Sequence, residues 1–426
     1  MERYPSYNPS GVKWLGEIPS HWEVKRLASY FTERRVKVSD KEYEPLSVTK
    51  LGVFPQWENV AKTNDGDNRK LVKKGDFVIN SRSDRKGSSG VSDRDGSVSL
   101  INIVLQPRNT IRADFSNYLL KSYKFIEEYY RNGRGIVADL WTTRYDEMKM
   151  IKLAVPPLEE QSAIAVYLDT ATAKIDAAIA QQQKMIDLLN ERKQIIINRA
   201  VTKGLNPNAK MKDSGVEWIG EVPEHWEVRK LKHMFSRIAD GTHFSPQTTD
   251  EGYPYITATD VDGKGINYQN TKKISSKDYE TLVMSGCKAY KGEILLVKDG
   301  ATTGRVGLKT DDVDCVTLSS VAMLRPKKDS SELFLMYLLK SFVIQEQIFE
   351  SMAGAAMPRI TLVKLKNFFA LLPPENEQKD IANYIEKMIF PIEEAIKITS
   401  SQISLLQERK QIIINEVVTG KVKVTN

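Results

Sequence analysis

The sequence predicts a mixed α/β fold of the α+β kind, built twice in one chain and joined by a pair of long helices. Three observations predict it. The octapeptide ERKQIIIN stands at Glu191–Asn198 and again, letter for letter, at Glu408–Asn415. A longer block, GVKWLGEIPSHWEVKRL at Gly11–Leu27, returns as GVEWIGEVPEHWEVRKL at Gly215–Leu231 with 11 of 17 positions identical. Ahead of each octapeptide, apolar residues recur at steps of three, four and seven, the spacing of one helix face.

The helices come first. In copy one the apolar positions are Ile175, Ile179, Ile186, Leu189 and Ile196; in copy two they are Ile392, Ile396, Ile403, Leu406 and Ile413, at a constant offset of 217. The same offset pairs Pro156-Pro157 with Pro373-Pro374 and Glu160-Gln161 with Glu377-Gln378. One unit, an entry loop, a short helix and a long helix, is therefore used twice. An apolar seam without a partner faces water, and two equivalent seams bury each other, which predicts a helix pair. From Thr172 to Ala200 the long helix spans about 45 Å at 1.5 Å per residue. Pro391 inside a helix costs about 3 kcal/mol. That cost predicts a break after a short helix from Gln378 to about Glu386, with Pro391 in the first turn of the long helix and Asp169-Thr170 capping the matching place in copy one.

Composition bounds the class. A chain of 426 residues with 41% hydrophobic content holds two to four domains with ordinary cores. No run approaches 18 apolar residues and MERYPSYNPSG lacks a signal pattern, so the expectation is a cytoplasmic protein with no membrane partner. Cys287 and Cys315 are too few for a disulfide framework and read as buried thiols. The net charge of +7 permits nucleic acid as a partner without demanding it.

The opening blocks are offset by 204, so the second half carries 13 more residues (217 minus 204) between its repeated blocks. The repeated frame brackets two unlike inserts, about 28–152 and 232–369. Within the blocks, Trp14, His21, Trp22, His225 and Trp226 read as anchors pinning a loop to a domain surface; a catalytic histidine needs a positioned partner that the sequence does not name.

Each insert reads as strands and loops followed by a helix. VKKGDFVINSR (Val72–Arg82) has the turn and apolar run of a strand, and YKGEILLVKDGATTGRVG (Tyr290–Gly307) repeats that order in other letters. SNYLLKSYKFIEEYY and SELFLMYLLKSFVIQEQIF are helical. The loops are rich in groups that bond base edges and phosphates in DNA. In the first insert the candidates are Lys50, Asn80, Arg82, Arg85, Lys86, Arg94, Arg134, Thr143 and Arg144. In the second they are His243, Thr257, Lys298, Thr302, Thr303, Arg305, Arg359 and Thr361. Polar loop residues often only face water, so the two parallel sets carry more weight than any one member.

Other chemistry finds no motif. There is no GxxxxGK[ST] phosphate loop, and KGSSG and KDGATTGRVG are turns rather than G-x-G-x-x-G after a strand. Neither Pro-Pro pair lies in an adenine-methyltransferase motif. None of the four histidines pairs at i and i+4, so no metal site is expected. The chain reads as non-catalytic, with no cofactor of its own.

VPPLEEQ…LLNERKQIIINRAVTKG and LPPENEQ…LLQERKQIIINEVVTGK, each preceded by GVxWxGExPxHWEVxxL, resemble the specificity subunit of a Type I restriction-modification system over nearly the whole chain. The resemblance implies target-recognition domains at 1–155 and 206–372, helical regions at 156–205 and 373–426, an antiparallel coiled coil and pseudo-twofold symmetry. Each domain would read one half of an asymmetric, split site in double-stranded DNA. Two methyltransferase subunits would dock on the chain and restriction subunits would join through them. S-adenosylmethionine, ATP and Mg would then belong to those partners. Two rivals stay open at this point, a standalone DNA-binding regulator and a structural coiled-coil protein; the first would show a helix-turn-helix, and none is visible.

Overall fold

The computed structural model describes residues 2–56, 66–135, 141–352 and 358–424. The chain forms two compact units: unit 1 comprises Met1–Gln183 with Ser400–Asn426, and unit 2 comprises Lys184–Thr399. The units cut across the linear blocks. Unit 1 takes its last helical segment from the far end of the chain.

Nine helices lie among the described residues: α1 Ala113–Lys121, α2 Tyr123–Arg131, α3 Tyr145–Met148, α4 Leu158–Lys203, α5 Ser276–Met284, α6 Glu332–Lys340, α7 Phe342–Met352, α8 Leu362–Asn367 and α9 Glu375–Val418. Helix α4 runs unbroken for 46 residues and α9 for 44, with Pro391 inside α9. This corrects the expected break at Pro391. A proline interior to a helix forfeits one backbone bond, but its neighbours Ile389 and Ile392 are 5% and 7% exposed and are held by packing, so tertiary burial overrides local propensity. Asp169 likewise caps nothing; it accepts the Tyr118 hydroxyl at 2.6 Å. The runs expected as single helices each split at a serine, Ser122 between α1 and α2 and Ser341 between α6 and α7. Ser122 Oγ accepts the Phe125 N–H at 3.4 Å, which starts α2 afresh.

Unit 1 holds an antiparallel four-stranded sheet in the order Ser89–Val91, Phe77–Asn80, Asn102–Pro107, Phe31–Glu33. Unit 2 repeats it with Val306–Leu308, Ile294–Val297, Val321–Pro326, Phe235–Asp240. The central strands Phe77–Asn80 and Ile294–Val297, 217 residues apart, are buried throughout. Each is entered through a glycine in the left-handed region, Gly75 (φ 91°) and Gly292 (φ 82°), where a Cβ would be strained. The next residue in each is a buried acid. Asp76 takes two bonds from Arg34, at 2.6 and 3.0 Å, and Glu293 takes one from Arg325 at 2.8 Å. Unit 2 adds a five-stranded sheet containing one parallel pair, Tyr253–Ile256 with Cys315–Thr317. It also adds α5, which falls between the strands equivalent to Phe31–Glu33 and Phe77–Asn80, where the 13 extra residues lie.

Helix segments close both cores. In unit 1, Ile164, Leu168 and Ile175 of α4 pack with Ile413, Ile414, Val417 and Val418 of α9 under α1 and α2. In unit 2, Ile197, Ala200 and Val201 of α4 pack with Ile381, Ile385 and Ile389 of α9. The segments run antiparallel in each unit, and one ion pair appears twice: Asp176 with Lys410 at 2.6 Å, and Lys193 with Glu393, the members of each type 217 apart. Of the ten seam residues, Ile175, Ile392 and Ile413 are buried, and Ile179, Ile186, Leu189, Ile196, Ile396, Ile403 and Leu406 are half-buried. No helix among the described residues is long and apolar enough to cross a membrane. Both cysteines are buried free thiols.

Candidate nucleic-acid interface

The opening blocks fasten the frame. His21 Nε2 lies 2.8 Å from Glu160 Oε2, and Trp22 Nε1 donates to Glu160 Oε1 at 3.1 Å. His225 repeats the contact on Glu377 at 2.7 Å. The acids sit in the first turn of α4 and of α9. At the other end, the Lys421 ammonium bonds the Glu17 carbonyl in unit 1 and the Lys203 ammonium bonds the Glu221 carbonyl in unit 2. These residues bind one element to another, which is an anchoring role.

In unit 1 the central strand delivers the chain at Asn80 into the loop that carries Arg82, Arg85 and Lys86. Asn80 is 7% exposed, and its Oδ1 accepts the Arg82 N–H at 3.0 Å. The loop is zipped to the segment after α2: Arg82 and Arg134 both bridge to Thr142, and the Tyr130 hydroxyl reaches the Asn80 and Arg82 carbonyls at 3.2 Å. Thr143 is fully buried and exchanges bonds with Tyr129. Arg82, Arg85 and Lys86 on the loop, and Arg134 and Arg144 on the segment zipped to it, are all exposed and make up the rim. Lys86 pairs with Glu127 at 2.7 Å and lies 5.8 Å from the Tyr130 ring centre. Arg94 is not on that rim. It pairs with Asp93 at the Gly75 end of the strand. Lys50 stands beside the end of α1, where Lys121 donates to the Leu51 carbonyl at 3.1 Å.

Unit 2 builds the same zipper in other letters. Asp299 bridges to Arg359, 217 residues beyond Arg82 and Thr142 respectively. Lys298 is 2% exposed and its ammonium is held by Asp299 at 3.1 Å and Asp240 at 3.4 Å, so it braces the loop from inside. His243 lies 3.6 Å from Asp240, and Arg359 lies 3.2 Å from Asp299. Thr302 and Thr303 are half-buried on this loop, and Thr303 Oγ1 donates to the Gly300 carbonyl at 2.7 Å. Arg305 is exposed but donates to the Val261 carbonyl at 3.2 Å, beside Thr257, whose hydroxyl donates to Asp260 at 2.7 Å. Thr361 caps α8. Asn80, Thr143 and Lys298 are thus interior groups, and Thr361 is spent on a cap.

Sequence reasoning missed a third repeat. YLLKS stands at Tyr118–Ser122 and at Tyr337–Ser341. It docks each domain on the helices: Tyr118 donates to Asp169 and Tyr337 to Glu386, acids 217 apart. The octapeptide asparagines finish the joint. Asn415 Oδ1 accepts the Lys124 N–H at 3.2 Å in unit 1, and Asn198 Oδ1 accepts the Phe342 N–H at 3.0 Å in unit 2. The signal was a five-letter identity hidden inside otherwise unlike inserts. Among the described residues no group of three or more His, Cys, Asp or Glu is placed to hold a metal.

One frame used twice, carrying two unlike polar rims, defines a protein with two domains built on an internal repeat. Residues 19–186 and 223–400 match the family model described as Type I restriction modification DNA specificity domain, and the chain belongs to that family of specificity subunits. It is 27% identical to the MjaVIII specificity subunit of Methanocaldococcus jannaschii, with 100% of this chain and 98% of that one covered. It is 26% identical to the EcoBI specificity subunit of Escherichia coli over 63% of this chain and 58% of that one. Among solved structures, a chain from work on complex assembly and conformational transition of the type I R-M system covers 95% of this chain and 99% of its own length, at TM-score 0.66 and 15% identity, a likeness of fold.

Proposed function

We propose that this chain reads a bipartite, asymmetric site in double-stranded DNA, one half with the domain of residues 1–155 and the other with that of residues 206–372. It serves as the non-catalytic reader, in the cytoplasm, for two methyltransferase subunits that methylate adenine N6 and, through them, for restriction subunits. One observation carries this reading: a frame repeated to the residue presents two rims that share almost no letters. A repeated frame suits repeated partners, and unlike rims suit unlike half-sites. On the rims, Arg82, Arg85, Lys86, Arg134 and Arg144 in unit 1 and His243, Thr302, Thr303 and Arg359 in unit 2 are the groups with the chemistry for base edges and phosphates.

Methylome sequencing of a host expressing the chain with its methyltransferase subunit tests the reading. The expected result is a new two-part motif with modified adenines and two different halves. A soluble complex that modifies no motif overturns it. Inserting one helical turn after Gln182 and after Thr399 lengthens the unread spacer and leaves both halves as they were; an altered half-site would contradict the role given to the helices.

A further inference from the structure

Each unit carries a cleft between its domain and its helices, and the two clefts are built to one plan. In unit 2 a cleft of about 560 Å³ is lined by Lys193 of α4, Lys340 of the YLLKS repeat and Arg305 of the rim loop. In unit 1 a cleft of about 620 Å³ is lined by Lys410, Lys121 and Lys50; the first two match Lys193 and Lys340, while Lys50 comes from a loop ahead of the central strand rather than the loop that leaves it. Lys193 and Lys410 are 217 apart, and Lys121 and Lys340 hold the same place in YLLKS.

The charges in these clefts are incompletely answered. Among the described residues, the only hydrogen-bond acceptor that the Lys340 ammonium reaches is Met336 Sδ at 3.5 Å, besides the Tyr337 ring at 5.5 Å. Glu393 is shared between Lys193 and Lys264. Burial, with Lys193 nearby, pushes Lys340 down to about 8, and burial beside Lys410 lowers Lys121. In unit 1 Lys121 donates to the Leu51 carbonyl at 3.1 Å and Lys410 is paired with Asp176, which lines the same cleft, so three cations there face one carboxylate. The half-buried Lys340 ammonium, with no oxygen acceptor of its own, is the costlier arrangement, and an anion relieves it.

We propose that each cleft seats a backbone phosphate of double-stranded DNA, held by Arg305, Lys340 and Lys193 in unit 2 and by Lys50, Lys121 and Lys410 in unit 1. This rests on the DNA-reading function above and deepens it. A phosphate is the same group whatever the base sequence, which fits a site made largely of repeated residues. One cation of each three comes from a loop of the domain that is proposed to read bases, which favours DNA over an acidic protein segment.

The test uses the full chain assembled with its methyltransferase subunits, with Lys340→Met, Lys121→Met and the conservative Lys340→Arg. Binding is measured across a salt series on duplexes with and without the modified motif. Each Met variant is expected to lower the slope of log K against log salt by about one, and to weaken both duplexes by the same factor. The motif stays unchanged, and Lys340→Arg keeps the slope. Wild-type slopes in both Met variants overturn the proposal. So does a loss of methyltransferase from the complex with the slope intact, since that assigns the clefts to a protein carboxylate. A wild-type complex that modifies no motif sinks the reading function, while the slopes still judge the clefts separately.

Discussion

Strand Phe77–Asn80 in unit 1 and strand Ile294–Val297 in unit 2 hold the same place in sheets of the same order, yet the loops that leave them are unlike. The first runs through Arg82, Arg85 and Lys86. The second runs through a buried Lys298 clamped by Asp240 and Asp299. Both loops are nevertheless zipped to the segment after the helix pair at positions 217 apart. The difference teaches where each constraint acts. Backbone pairing and apolar burial fix the frame, while side chains beyond the zipper are free to diverge.

The comparison breaks most completely if one half is removed. A fragment ending at Gly204 lacks the Ile413, Ile414, Val417 and Val418 that close the unit 1 core, but carries the matching face at Ile196, Ile197, Ala200 and Val201. It is expected to pair with a second copy; sedimentation showing a strict monomer at micromolar concentration would contradict this. Next in size is the buried acid behind each turn. Asp76→Ala strands Arg34, whose side chain is 17% exposed, and is expected to cost about 3–5 kcal/mol in denaturant titration. Glu293→Ala is expected to cost less, because Arg325 is 41% exposed and keeps the Tyr290 ring 4.8 Å away. Equal losses would remove the distinction.

The asparagines give a smaller, crossed effect. Asn415→Ala should loosen unit 1 and Asn198→Ala unit 2, each by about 1 kcal/mol, read as faster amide exchange in α2 or α7 respectively. The smallest effect is a change of slope with pH. Burial holds Lys340 down at about 8, below the ordinary lysine value of 10.5, so between those two values the folded chain binds fewer protons there than the unfolded one. Stability from this group therefore rises with pH through that window. Lys340→Met should flatten the rise in a thermal-melt series, and an unchanged profile would deny the group that role.

Much of the frame was legible because repeats are visible as letters. The offset of 217 and the Gly-Asp and Gly-Glu turns came from local identity, and the seam from a period of which only Ile175, Ile392 and Ile413 are buried. Pro391 misled because helix propensity is a local quantity, whereas Ile389 and Ile392 are held by burial. The rims were only partly legible. Asn80, Thr143 and Lys298 have the same chemistry as Arg82 or Arg359, and nothing in a one-dimensional sequence distinguishes a polar group turned inward from one turned outward. The clefts were not legible at all, since each gathers its cations from three distant stretches.

Unit 1 is closed by residues more than two hundred positions beyond the rest of it. During synthesis at about 5–20 residues per second, the first domain therefore waits on the order of 10–40 s for its last helical segment. Through that interval Ile164, Leu168 and Ile175 lack their native cover, while the first ERKQIIIN, with an identical face, has already emerged. Because that face continues the same unbroken helix α4, the matching face of a second nascent copy is the nearest wrong partner for unit 1. Duplication that builds the frame also builds its chief folding competitor, and the order of emergence decides between them.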